Sequence, residues 1–218
     1  MALFSFGRSG VASPDRSTAD ALKKAFRALR DGTLSFADLV QVSAMEGVVN
    51  CVSLGTITTP ITFKAYDADQ PELVLDVADG YTMLPLNLQA HIEDSAGTDN
   101  EIFAHTSKGT LIGAGTSTAL TQFNANTGYA AASGVSAYGA YSGNGTVPTT
   151  PNEFWRTGYA FADTTVGPLK VYNWNWRDYC PIVIKGPGAI AVYASATTTQ
   201  MNGFLKASYI ILPSTLVF

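Results

Sequence analysis

The side chains able to do chemistry in this sequence are few, and they stand apart. Its histidines are His91 and His105, and its cysteines are Cys51 and Cys180. A zinc site draws its ligands from close Cys and His spacings, and neither pair offers one. Nucleophilic catalysis through a serine elbow needs Gly-x-Ser-x-Gly, but Gly134-Val-Ser136-Ala-Tyr138 ends in tyrosine. Gly113-Ala-Gly115-Thr-Ser-Thr lacks the third glycine of a dinucleotide fingerprint, and no Gly-x-x-x-x-Gly-Lys phosphate loop occurs. Asp67, Asp69, Glu72, Asp76 and Asp79 supply hard oxygen ligands of the kind Ca²⁺ takes, but their spacing is not that of an EF-hand loop. Glu93, Asp94, Asp99 and Glu101 form a second acidic stretch. Both stretches read as solvated acids at turns. A glycosidase would need two carboxylates facing each other across a bond, a test any two acidic loops pass in sequence. The expectation is a protein that is not an enzyme and uses no cofactor or metal.

Composition supports a different role. Charged residues make up 14% of the 218 residues, against roughly 25% in ordinary soluble domains. The surface must therefore be built largely from Ser, Thr, Asn, Gly and apolar groups, which suits burial against neighbouring subunits. The 13 basic and 17 acidic residues leave a net charge of −4, the wrong sign for a dedicated nucleic-acid binder. No run of ~18 apolar residues predicts a membrane helix, and Met1–Arg8 lacks the features of a signal peptide. Synthesis in the cytoplasm with no membrane partner is expected. Cys51 and Cys180 each adjoin an apolar run and are expected to be buried, reduced thiols.

Two regions must position whatever these residues do. Residues 1–30 hold Arg8, Arg16, Lys23, Lys24, Arg27 and Arg30 against Asp15 and Asp20. Within them, Ser17-x-x-Asp20 resembles a capping box, and Leu22, Ala25, Phe26 and Leu29 recur at helical spacing. This predicts a helix over 17–30, with Lys23, Lys24, Arg27 and Arg30 on its other side. A second short helix is expected after Ser35, carrying Phe36, Leu39 and Val40 and ending near Gly47. Residues 1–47 thus read as an arm with one or two helices. The arm folds over its own sheet or docks Leu22, Phe26 and Leu29 on a neighbouring subunit. Contact of its cations with packaged nucleic acid ranks third.

From residue 48 to 218 the period becomes two, as in Pro60–Tyr66, Glu72–Val77 and Leu86–Glu93, with Gly, Pro, Asn and Asp between the runs. Many short strands without intervening helices predict a mainly β fold, a single jelly-roll-like β-sandwich. His91 alternates with Asn87, Gln89 and Glu93 on the solvent side. Residues 109–152 carry no charge and are rich in Gly, Ala, Ser and Tyr. They read as a long contact loop, with Tyr129, Tyr138 and Tyr141 as its adaptable contact groups. Tyr172, Trp174 and Trp176 share one face of a strand; that face either packs on the core, the stronger reading, or binds a glycan or receptor.

The stretch Cys180-Pro-Ile-Val-Ile-Lys-Gly-Pro-Gly-Ala-Ile-Ala-Val-Tyr193, a Ser/Thr-rich turn and the closing run Phe204–Leu212 resemble the end of some bacteriophage structural proteins. The resemblance covers residues 180–212 and departs from the commoner form at Gly186-Pro-Gly-Ala189, where an acidic residue would follow the glycine. It implies a jelly-roll-like virion protein and transfers no functional residues. The expected function is that of a capsid decoration, capsid-associated or capsid-forming subunit, located in the virion and partnered by copies of itself and other virion proteins. The alternative is a glycan- or receptor-binding module.

Overall fold

The computed structural model describes residues 26–28, 34–36, 39–56, 58–94, 100–159, 170–196 and 201–216. The chain divides into two compact units, Met1–Val42 and Ser43–Phe218.

In the first unit, β1 (Phe26–Ala28) pairs antiparallel with β2 (Leu34–Phe36), Phe26 opposite Phe36. This corrects the helix expected over 17–30. Asp31-Gly32, a strong hairpin dipeptide, lies in the sequence between two short runs carrying Phe, a strand former. Pairing of these two runs takes the place of the 3.6-residue stripe at residues 26–28. A single helix presenting Phe26 on one side and Arg27 on the other does not form. Leu22, Lys23, Lys24, Leu29 and Arg30 lie outside the described residues. The second expected helix is present as α1 (Leu39–Met45), which spans the division, while Phe36 belongs to β2 instead. α1 stops where expected: Gly47 takes φ 72°, and the amides of Gly47 and Val48 return to the carbonyls of Ala44 and Ser43.

The second unit is an antiparallel β-sandwich. Its strands are β3 (Val49–Leu54), β4 (Ile61–Phe63), β5 (Leu73–Val77), β6 (Tyr81–Asp94), β7 (Asn100–Lys108), β8 (Thr116–Ala119), β9 (Gln122–Asn124), β10 (Val135–Gly143), β11 (Asn152–Tyr159), β12 (Lys170–Asn175), β13 (Ile184–Lys185), β14 (Gly188–Ala196) and β15 (Met201–Pro213). One sheet runs β11-β7-β14-β5-β10-β8; the other runs β12-β6-β15-β3-β9, with β13 added to β6 and β4 to β15.

Alternation sends one set of side chains from each sheet into a shared core. Leu73, Leu75, Val77, Ile190 and Val192 come from the six-stranded sheet; Val52, Leu54, Leu88, Leu205 and Tyr209 come from the other. Each such large apolar side chain, fully buried, stabilises by about 1.5–3 kcal/mol. A bulge between the Ser208–Asn87 and Tyr209–Pro85 pairs switches the inward set of β6 from Met83 to Leu88, Ala90 and Ile92. Tryptophan 174 is fully buried in this core, edge-on to Phe154, and Tyr172 and Trp176 pack against it. The aromatic stripe of β12 therefore faces the core, not a ligand.

Residues 109–152 are not one long loop. They contribute β8, β9 and β10, and β10 pairs with β5 in the interior of its sheet. Val135, Ala137 and Gly139 of β10 point into the shared core, and an irregularity after Gly139, where Ala140 takes φ 53°, turns Tyr141 to the other face of its sheet. Gly139 is required by proximity, since a Cβ there would lie 2.8 Å from both terminal carbons of Leu54 in the opposite sheet.

Candidate functional site

At its centre, in β5 and β14, the six-stranded sheet is buried on both sides. Every residue of β5 is buried. Its outer face carries Val74 and Asp76, and the outward residues of β14 are Ala189, Ala191 and Tyr193, which pack with Phe103, Ile112 and Tyr141 in a second cluster. Small alanines let covering loops approach closely, and buried polar groups fasten those loops down. The Asp76 carboxylate accepts the amides of Ile112 (2.9 Å) and Gly113 (2.8 Å). The Tyr141 hydroxyl donates to the Gly113 carbonyl, and that of Tyr193 to the Ala68 carbonyl. The Glu72 carboxylate accepts the Lys64 amide at 2.6 Å, and the Lys64 ammonium donates to the Tyr141 carbonyl. Glu72 and Asp76, expected to be solvated, are 3% and 4% exposed. Burial pushes the Glu72 carboxyl up to about 7, opposed by the Lys64 amide and ammonium. Burial also raises Asp76, opposed by its two amide donors. Tyrosine 141, expected at a contact surface, is instead interior, and burial first and Asp76 second raise its phenol. Tyrosine 138 is half-buried against the same cluster.

An ionic group marks the β11 edge of this sheet. Arg156 binds Glu153 and Glu101, each at 2.6 Å, and lies over the Phe103 ring at 4.8 Å. His105 Nε2 is 3.4 Å from Glu153, whose carboxyl is lowered chiefly by its hydrogen bond from Arg156. Exposed pairs of this kind contribute little stability, but charges on an edge strand discourage pairing with another chain. Among the described residues, no three or more His, Cys, Asp or Glu gather closely enough to hold a metal ion, and no helix is long and apolar enough to cross a membrane.

The opposite rim is built differently. There the two sheets end in β8 and β9, and neither strand carries a charge. Phe123 on β9 is 52% exposed, Tyr129 54% and Met45 54%. They belong to one locality. Asn126 donates to the Met45 carbonyl, Asn124 donates to the Gly47 carbonyl, and the Tyr129 ring lies so close over Gly47 that a Cβ there would stand 2.6 Å from it. Of the three tyrosines expected to make contacts, Tyr129 is the one presented at the surface. Phe123 and Met45 were not picked out by the sequence pattern; the signal available was an uncharged segment containing a large aromatic.

Along the middle of the seven-stranded sheet, the outward residues Cys51, Ser53, Asn87, Gln89, His91 and Ser208 are half-buried and Lys206 is exposed. Register places Asn175, Asn87, Ser208, Cys51 and Phe123 in one row, and Asn173, Gln89, Lys206 and Ser53 in the next. A shallow groove of about 180 Å³ runs between Asn87, Gln89, Phe123, Lys206, Ser208 and Cys51. His91 lies on this face as its alternation placed it, stacked on Phe204 at 4.4 Å. Burial first and the Lys206 charge second hold its pKa below the usual value. Asn87 Oδ1 and both ring nitrogens of His91 are shielded and lack hydrogen-bond partners, a condition that costs ~1–3 kcal/mol per group. Cys51 is half-buried and Cys180 exposed, and both are free thiols. The exposure of Cys180 corrects the expectation for it. The turn at Asn175, whose carbonyl accepts the Asp178 and Tyr179 amides, carries the chain off the sheet before β13 begins.

Fold and register together define a two-sheet antiparallel β-sandwich. No family model, curated protein or solved structure matches the chain.

Proposed function

We propose that the chain is a structural subunit of a virus particle, a capsid-forming or capsid-associated protein of the decoration type, acting by association with copies of itself and with other virion proteins. One observation carries the association: both sheets terminate at a rim without charges on β8 and β9, where Phe123, Tyr129 and Met45 stand half exposed. Protein interfaces are enriched in aromatic residues and Met and depleted of charge at their centres. The edge strands themselves are short, so a partner would gain more from burying these side chains than from extending the sheets. The low charge of the whole chain and the resemblance of residues 180–212 to the closing strands of phage structural proteins support the virion as the assembly.

Light scattering after size exclusion, with electron microscopy of the same fractions, tests the association. Wild-type protein is expected to form defined oligomers or particles, and a Phe123→Asp/Tyr129→Asp double variant is expected to be a folded monomer by circular dichroism. A wild type that remains monomeric at high concentration overturns the assembly reading. Absence of the chain from purified particles of its source virus, measured by mass spectrometry, overturns the virion assignment alone.

A further inference from the structure

We infer that residues 64–70, which link β4 to β5, form a strap that opens without unfolding of the sandwich, and that Glu72 at its foot governs the opening with pH. The inference concerns the outer face of the six-stranded sheet and is independent of how the β8–β9 rim assembles.

The strap has the build of a segment that opens locally. None of residues 64–70 is buried, Ala65, Tyr66 and Asp67 are exposed, and no strand or helix runs through them. Gln70 donates its backbone and side-chain amides to the Asp67 carbonyl and carboxylate, making a turn that can move as one piece. Polar ties fasten it to its surroundings. The Tyr193 hydroxyl donates to the Ala68 carbonyl at 3.0 Å, and the Gly145 amide donates to the Asp69 carbonyl at 3.1 Å. At the foot, the Lys64 amide donates to Glu72 and its ammonium to the Tyr141 carbonyl. Segments held by few buried apolar contacts open at a fraction of the cost of global unfolding. Beneath the strap the surface is aromatic. The Tyr66 ring lies 5.4 Å from that of Phe103 and 5.3 Å from that of Tyr193, which are 5% and 1% exposed. Opening therefore uncovers an aromatic face.

Glu72 sits where the strap meets β5, and its carboxyl is buried. Water reaches it when the strap lifts, so the ionised form favours opening. Held at about 7 when closed and near the ordinary 4.5 when open, it loses its proton first in the open form. Opening thus rises with pH and levels off above 7. The other titratable groups of this layer are Asp67 and Asp69 on the strap, Asp76 on β5, Tyr141 on β10, Tyr193 on β14 and His105 on β7. Burial first raises both phenols, which stay protonated through this range. His105, its ring 5.6 Å from that of Tyr193, is the competing titration.

Hydrogen exchange of the full chain, read by mass spectrometry at pH 6 and pH 8 and corrected for the intrinsic pH dependence of exchange, tests the strap. Its peptides are expected to exchange faster than those of β5 and β14 at both pH values, with an opening equilibrium about tenfold larger at pH 8. Glu72→Gln is expected to abolish that rise and His105→Gln to retain it. Tyr193→Phe, which removes one tie and leaves Glu72 in place, is expected to speed strap exchange at both pH values with the rise intact. Strap protection equal to that of β5 and β14 overturns the inference, because the strap would then open only with the whole sandwich. So does an equal rise in wild type and Glu72→Gln, or loss of the rise in His105→Gln.

Discussion

Glutamate 72 offers a quantitative test of how the loop layer is held. Its carboxyl is 3% exposed and sits at about 7, against an ordinary 4.5, because burial disfavours the charged form. The folded chain therefore keeps this proton up to about pH 7, whereas the unfolded chain releases it near 4.5. Between those values the folded state binds more protons than the unfolded one, so this group's contribution to stability falls as pH rises and levels off above 7. At about 1.4 kcal/mol per pH unit, the full loss is about 3 kcal/mol. Glu72→Gln retains an oxygen to accept the Lys64 amide and cannot ionise. Urea unfolding followed by tryptophan fluorescence at pH 5 and pH 8 gives the comparison. The variant is expected to match the wild type at pH 5 and to exceed it by about 3 kcal/mol at pH 8. Taking the difference between the two proteins removes the contribution of other groups, including Asp76, which shifts in the same direction. Parallel pH profiles for the two proteins would refute the reasoning.

Other outcomes follow from the same geometry. Asp76→Ala leaves the Ile112 and Gly113 amides without their acceptor and is expected to cost about 2–5 kcal/mol, with amide exchange at those two residues accelerating well beyond that of the core strands. Protection at 112–113 equal to wild type would show that the loop is held by other contacts. In native protein a thiol reagent is expected to modify Cys180 rapidly and Cys51 slowly, since Cys51 is half-buried and its thiol is pushed up by burial. Equal rates before unfolding would contradict the placement of both residues.

Much of the sandwich was legible because hydrophobic alternation survives in single strands such as Pro60–Tyr66 and Leu86–Glu93. The strand Val135–Gly143 was missed for a physical reason. Its inward set includes Ala137 and Gly139, residues with little apolar signal, and Gly139 is small because Leu54 from the other sheet occupies the space beside it. No local pattern announces a constraint imposed from another sheet. Glu72 and Asp76 looked like turn acids for a related reason. Their burial depends on loops from residues 64 and 110–115 arriving over β5. The N-terminal stripe failed in the opposite direction, where spacing suggested a helix and Asp31-Gly32 instead sat between two paired strands. The outer face of the seven-stranded sheet was half legible. Asn87, Gln89 and His91 could be read as an outward row, but that Lys206, Ser208 and Cys51 lie beside them is a property of strand order, which alternation does not encode.

Strand order also dictates a sequence of events during synthesis. β15, at residues 201–213, lies between β6 and β3 and pairs with both, so the seven-stranded sheet has a gap at its middle until that segment leaves the ribosome. Before then β3 and β6 are separate fragments, each with an unpaired backbone edge and an uncovered apolar side. Such edges are aggregation hazards. The sandwich therefore closes only after residues 201–213 have been made, through contacts between residues far apart in sequence, which slow folding.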